Sequence, residues 1–301
     1  MRALTEFIHD AAHAVRKPRL LCVPAEEKRI LSVLPDVCNM VQPVLVGNKD
    51  TIHKVLASCG VSPGEWEIIH EPDRIKACER ALELSCQDSA TIVMESGKGS
   101  LLQEILKEKR HTRWGIQCPA HITVVDDRAG GQVFMVADTL MHPRPDLKNK
   151  EAILNTALAV ARILGAPYPK VAALAALEYV NHSIQSTVDA AVLSKMAERN
   201  QFGEAFVEGP LDIDCAVSRD ACTRKKVKSI ITGEVDLFLV SDVESGQCFL
   251  QFLSFFGRME LCGIVAGYPS PLIVTMPYDT VFGRIAAVAL SCRLCGYAES
   301  A

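Results

Sequence analysis

The sequence predicts an α/β protein of two lobes, with parallel-rich sheets carrying helices on both faces. Three observations predict it. Apolar, β-rich runs alternate with helix-period segments from end to end, as parallel strands joined by crossover helices do. The 301 residues suit two domains of ~150 residues each. The alternation also falls into two sets, the second beginning near Asp146.

In the first set, 19–23 reads as a strand, 26–40 as a helix, 41–46 as a strand stopped by Gly47-Asn48, and 50–59 as a helix closed by Gly60. A short strand at 67–70, a helix at 73–86 and a strand at 90–94 follow. A helix at 101–109 leads into strands at 120–125 and 132–137. In the second set, a long helix at 146–164 ends in Gly165, before a buried strand at 170–175 and a helix at 187–200. Strands at 205–207 and 237–240, a helix at 248–256, and strands at 263–265 and 272–275 complete a sheet. An apolar helix over 280–295 closes the chain and suits packing back on the first lobe.

Composition excludes some functions. A net charge of −4 gives no electrostatic reason to expect nucleic acid or anionic lipid as partner. The basic run at 224–228 reads as a solvated helix end. The N-terminal stretch lacks the apolar core of a signal peptide, and no window reaches the ~18 apolar residues of a membrane span. The expectation is a cytoplasmic protein without a membrane partner. Twelve scattered cysteines read as small buried hydrophobes. Cys292-Arg-Leu-Cys295 has redox or metal spacing but no second pair and no nearby histidine, so no metal site is expected.

In open α/β sheets, ligands bind beyond the carboxyl ends of strands. Three segments there stand out. The first, 94–100, places Gly97, Lys98 and Ser100 between a strand and a helix, where free N–H groups and the helix dipole suit a phosphate. It lacks P-loop spacing, and a plain tight turn fits equally well. The second, 136–150, sets Asp138 just after a strand and starts a helix at Pro145-Asp146; it is a site or only a cap and hinge. In the third, 169–218, Thr187 reads as an N-cap and Asp189 falls in the first turn. Gly209-Pro210 breaks the strand there, and Asp212 and Asp214 then orient a bound group or cap the next helix.

The runs PKVAALAALEYVN, STVDAAVLSKM and GPLDIDCAVS are similar, almost residue for residue, to the central segment of the phosphate acetyl/butyryltransferase family, and most to its phosphate butyryltransferase branch. ADTLMHPRPDLKNKEAILNTALAVARILG resembles its preceding helix and TGEVDLFLVSDVESGQ its later strand and loop, with weaker similarity through Arg113, His121 and the terminal helix. The resemblance implies an architecture like isocitrate and isopropylmalate dehydrogenases, with lobes at 1–137 (rejoined by 280–301) and 138–279 and a cleft between them. It implies a homodimer and the reaction acyl-CoA + phosphate ⇌ acyl phosphate + CoA on a short acyl group. Coenzyme A is then a substrate, no metal or redox cofactor is needed, and an acyl (butyrate) kinase is a functional partner.

The departures from that pattern matter. Asn-Ile-Ala-Pro becomes His142-Pro143-Arg144-Pro145, and the lysine after the strand-end methionine becomes Glu95. Gly-Asn and a downstream Tyr-Lys become Gly246-Gln247 and Leu250-Gln251. Thr-Ser-Arg-x-Asp becomes Thr275-Met276-Pro277-Tyr278-Asp279, so the arginine implied to hold the developing anion is replaced by Pro277. Arg144, Lys98 or Arg284 are the candidates to stand in for it. Asp138, His142, Asp189, Asp214 and Asp279 are the expected catalytic positions, with His142 a base suited to neutral pH. Gly97, Lys98, Ser100 and Arg144 are expected to bind the anion, and Thr187, Gly209, Pro210, Gly246, Gln247 and Thr275 to contact substrate. Two other classes stay open: a divergent, non-catalytic CoA or acyl-CoA binder, and an NAD-dependent decarboxylating dehydrogenase. Against the second, no G-x-G-x-x-G follows a strand and the metal-binding carboxylates of such enzymes are not evident.

Overall fold

A computed structural model describes residues 1–62, 66–88, 90–95 and 118–298 of the chain. Gly97, Lys98, Ser100, Arg113 and the expected helix 101–109 lie outside the described residues. The first stretch holds α1 (Leu4–Ala12), β1 (Arg19–Val23), α2 (Lys28–Leu31), α3 (Leu34–Val37), β2 (Gln42–Gly47), α4 (Lys49–Ser58), β3 (Glu67–His70), α5 (Arg74–Gln87) and β4 (Thr91–Glu95). The second holds β5 (Ala120–Asp127), β6 (Gln132–Ala137), α6 (Leu147–Ile163), β7 (Lys170–Leu174), α7 (Gln185–Glu198), β8 (Phe206–Leu211), α8 (Ile213–Val217), α9 (Arg219–Lys225), β9 (Leu237–Leu239) and α10 (Val243–Phe255). The last holds β10 (Glu260–Ala266), β11 (Leu272–Val274) and α11 (Val281–Ala298).

The chain divides into two compact units, one of residues 3–119 with 260–301, the other of 120–259 with residues 1–2. The sequence reading set its boundaries at 137/138 and 279/280 instead. Strand pairing accounts for the difference. β6 hydrogen-bonds to both β5 and β9, which carries the 120–137 hairpin with the later strands. β11 pairs with β4 and β10, which carries both into the other unit.

In the 3–119/260–301 unit the strands run in the order β3-β2-β1-β4-β11-β10, parallel except for the last pair. β4 is buried along its whole length and β1 from Leu20 to Val23. That two-sided burial is why these strands read as unbroken apolar runs rather than alternating ones. In the 120–259 unit the order is β5-β6-β9-β7-β8, with only β5 and β6 antiparallel. Its carboxyl edge, beyond β6, β9 and β7, is where the polar segments of the sequence gather.

Four sequence expectations are corrected. The helix expected at 26–40 is two short ones, because Pro35 in the first turn of α3 cannot continue a helix from before it. The strand expected at 205–207 does not break at Gly209-Pro210 but runs to Leu211. Among the described residues β8 is an edge strand paired only with β7, so the missing N–H of Pro210 removes no ladder bond on its outer side. The helix expected at 248–256 starts at Val243, since the Asp242 carboxylate accepts from Ser245 N at 2.7 Å and caps it there. Thr187 is no N-cap: α7 starts at Gln185 after Ile184, and the Thr187 hydroxyl lies inside, bonded to the carbonyls of Asn181 and Ile184.

The cysteines are free thiols. Cys22, Cys78, Cys215, Cys222, Cys262 and Cys295 are buried, but Cys38, Cys86 and Cys248 are exposed, so the buried-hydrophobe reading fits only part of them. Among the described residues no helix is long and apolar enough to cross a membrane.

Candidate functional site

The chain leaves β6 at Ala137 and turns at once around Asp138, whose side chain is buried. Its Oδ1 accepts main-chain N–H bonds from His121 at 3.1 Å and from Leu140 and Met141 at 3.0 Å each. Its Oδ2 accepts the N–H of His142 at 3.0 Å and meets His142 Nδ1 at 2.6 Å. Burial alone would raise this carboxyl, but the His142 side-chain bond and the Leu140 and Met141 N–H groups hold it below the usual carboxylate range. The anion therefore holds the His142 ring by Nδ1, with the imidazole side chain 22% exposed.

A second layer sits behind this pair. His121, on β5, is buried, and its Nδ1 lies 2.7 Å from the Thr139 hydroxyl. Thr139 Oγ1 is also 3.3 Å from Thr123 Oγ1, and the Thr139 carbonyl accepts Gln247 Nε2 at 2.7 Å. Gly246 beside it is closely packed: an added Cβ would lie 3.0 Å from Val240 Cγ2 and 3.1 Å from Thr139 Cγ2. Burial pulls the His121 imidazole down to about 4, against the opposing pull of Asp138, so the ring is neutral at physiological pH.

A third group lies beyond β7 and β9. Lys150 of α6 and Asp189 of α7 form a buried ion pair, Nζ to Oδ2 2.7 Å, and Gln185 Nε2 donates to the other oxygen at 2.8 Å. Lys150, Ser186, Asp189, Leu239 and Ser241 line part of a cavity of about 10 Å³, room for roughly one water. Gly209 lets β8 approach: a Cβ there would lie 2.8 Å from both the Ala173 carbonyl oxygen and Cβ, and 2.9 Å from Ala190 Cβ.

The other expected residues have different surroundings. Asp212 caps α8, and its Oδ2 is 3.2 Å from Lys225 Nζ. The same ammonium lies 2.6 Å from Glu178 Oε1 and 2.7 Å from Asp214 Oδ1. Glu178, Asp214 and Cys215 are grouped closely enough to hold a metal ion, but Lys225 already supplies the cation there. Arg144 is exposed. Thr275 and Asp279 belong to the other unit. The Thr275 hydroxyl donates to the Glu95 carbonyl at 3.1 Å, and Met276 N donates to Asp279 Oδ2 at 2.6 Å. Burial pushes Asp279 up to about 6, against the Met276 bond and the charges of Arg284 and Arg29. Arg284 Nη1 donates to the Asp279 carbonyl at 2.9 Å, while its buried Nε has no hydrogen-bond partner among the described residues.

The structure thus joins Asp138 to His142, and Thr139 to Gln247. It adds His121, Thr139 and Lys150, which the motif reading did not assign. Lys150 carried a usable signal: it shares the helix face of buried Leu154 and Leu158, an ionisable group in an apolar stripe.

A family model described as phosphate acetyl/butaryl transferase matches residues 93–292. A phosphate butyryltransferase of Clostridium acetobutylicum is 29% identical over 276 residues, covering 90% of this chain and 91% of that one. A phosphate acetyltransferase of Rhizobium meliloti is 30% identical over 256 residues, covering 84% and 80%. In fold, a branched-chain phosphotransacylase from Enterococcus faecalis superposes with a TM-score of 0.77 at 24% identity, covering 92% of this chain and 99% of that one.

Proposed function

The chain belongs to the phosphate acetyl/butaryl transferase family, and on that premise we propose that it exchanges phosphate and coenzyme A on a short-chain acyl group. The observation that carries this reading is the Asp138–His142 pair, 2.6 Å apart at the carboxyl end of β6. A free thiol titrates near 8.5, so attack at neutral pH needs a base or a positive field. His142, with Nδ1 committed to Asp138, offers Nε2 as that base. The thiol proton passes to His142, the sulfur bonds to the acyl carbon, and the carbonyl electrons move onto oxygen. Collapse of that adduct breaks the bond to the phosphate oxygen and releases phosphate. Asp189, Asp214 and Asp279 are proposed as further polar positions of the site. Gly97, Lys98, Ser100 and Arg144 are proposed to bind the phosphoryl group, and Thr187, Gly209, Pro210, Gly246, Gln247 and Thr275 to contact the substrates.

A butyryl and an acetyl relative are 29% and 30% identical, which supports a short acyl chain; within it the reading commits to butyryl or a similar group on the motif resemblance. A cytoplasmic homodimer with no resident cofactor, working beside an acyl kinase that consumes the acyl phosphate, completes it. The test is coenzyme A-dependent phosphate release from acetyl, butyryl and branched acyl phosphates, with thermal unfolding alongside. Coenzyme A at a hundredfold excess over its dissociation constant should stabilise the fold by ~2.7 kcal/mol. Stabilisation by coenzyme A without transfer would leave only a binder, and stabilisation by NAD instead would point to a dehydrogenase.

A further inference from the structure

His121 has no part in the scheme above, yet its main-chain N–H is bonded to the same carboxylate that holds His142. We propose that His121 is a catalytic hydrogen-bond donor, its Nε2–H receiving the acyl carbonyl oxygen as that oxygen gains negative charge; this rests on the transferase reading. The first support is an unpaired atom. His121 Nε2 is buried and has no hydrogen-bond partner among the described residues. Buried polar groups are almost always paired, so one left open calls for an explanation, and an arriving substrate oxygen is one. The second support is the hydroxyl relay behind the ring. Thr123 Oγ1, Thr139 Oγ1 and His121 Nδ1 are in line at 3.3 and 2.7 Å. Each hydroxyl has one hydrogen, and the donor role requires the run Thr123 to Thr139 to Nδ1, which satisfies both contacts and puts the ring proton on Nε2; the reverse run would put it on Nδ1.

The third support is charge. A neutral ring of such low basicity cannot take a thiol proton near pH 7, which leaves donation as its use toward substrate. A neutral donor, shielded from water, stabilises an oxyanion without the solvent reorganisation that weakens such bonds in water. His121 lies beside Asp138 at the carboxyl edge of β6, so donor and proposed base share one support. Nε2 is buried, so the donor role requires that the acyl oxygen reach it by local opening of the site.

The experiment combines two variants with one measurement on the unaltered chain. His121→Phe keeps a flat ring, though a larger one, and removes Nε2 together with Nδ1. It is expected to lower kcat by ~10²-fold, with KM for coenzyme A little changed and the thermal midpoint lower, because the buried Thr139 hydroxyl loses its partner. Thr139→Val, which removes the hydrogen holding Nδ1, is expected to lower kcat by about tenfold. In the wild type, imidazole nitrogen NMR should find the His121 proton on Nε2 across neutral pH. That signal should shift when acetylphosphonate, an uncleavable acyl phosphate analogue, is added. Unchanged kcat in the variants, a bare Nε2, or no shift with saturating acetylphosphonate would overturn the assignment. Absence of turnover in the wild type would refute the transferase reading instead, and the NMR titration, which needs no turnover, would still decide the role of His121.

Discussion

Replacing Asp138 with asparagine removes a charge and leaves the shape. Five N–H donors converge on the carboxylate, counting the ring nitrogen of His142 as one. Oδ1 takes three of them, so the amide oxygen of the variant belongs there and its NH₂ falls at Oδ2. At Oδ2 it opposes both the main-chain N–H and the ring N–H of His142, donor against donor. The main-chain bond is lost outright, at about 1.5–3 kcal/mol, and the others become neutral and weaker. A loss of ~3 kcal/mol in urea unfolding near neutral pH is the expected size. The imidazole can relieve the clash by accepting at Nδ1, which moves its proton to Nε2 and abolishes the base. Phosphate release should then fall by about 10²–10⁴, the range of general-base contributions. The pH dependence has a definite sign. Because the folded-state pKa lies below the ordinary value near 4, this stabilisation is complete above that value and fades as pH falls through the folded one. The gap between wild type and variant should therefore be flat at neutral pH and narrow in acid. A variant that keeps wild-type turnover, or a gap that widens on acidification, would refute both the base and the network.

Lys150→Met should destabilise by ~3–5 kcal/mol, because Asp189 is left buried without its cation; adding Asp189→Leu should recover most of it, and a silent single variant in chemical denaturation would show the pair is not structural. Asp279→Asn tests a penalty of opposite sign. Burial raises this acid from 3.8 to about 6, so its ionisation costs the folded state little below pH 4, increasingly up to 6 and fully above. The variant should thus gain on wild type by at most roughly 3 kcal/mol between those limits, and a pH-independent difference would count against the shift. Gly209→Ala forces a Cβ to 2.8 Å from the Ala173 carbonyl, so scanning calorimetry should show a lower midpoint corresponding to ~1–3 kcal/mol.

How much of this was readable beforehand depends on the range of the interaction. β1, β3 and β6 fall where the sequence placed them, since their boundaries are set by local apolar runs and turn residues. The start of α6 was equally plain, because Asp146 caps it locally through Asn149 N at 2.8 Å. The apolar period across 26–40 continued through Pro35 and concealed a break that only backbone chemistry imposes. The extent of β8 depended on knowing it to be an edge, which is a property of the sheet and not of the segment.

The site divides along the same line. Asp138 and His142 were legible because they are four residues apart and follow a strand. His121 was not, because its meaning comes from register: β5 folds back on β6 with Ile122 opposite Ala137, which sets His121 against Asp138 across 17 residues of chain. The two carboxylates Asp212 and Asp214 were seen as a pair, but Lys225, which holds both, was counted only within a basic run at a helix end. The same reasoning bears on His142 itself, which stands where the resembling family usually has asparagine. An asparagine there could share the N–H bonds of the turn but could not take up a proton. With Asp138 already supplied with main-chain donors, exchanging that side chain for an imidazole adds a base without rebuilding the turn. His142→Asn is therefore expected to leave the fold intact while removing the dependence of turnover on imidazole ionisation. A variant with an unaltered pH–rate profile would mean that the thiol proton leaves by another route.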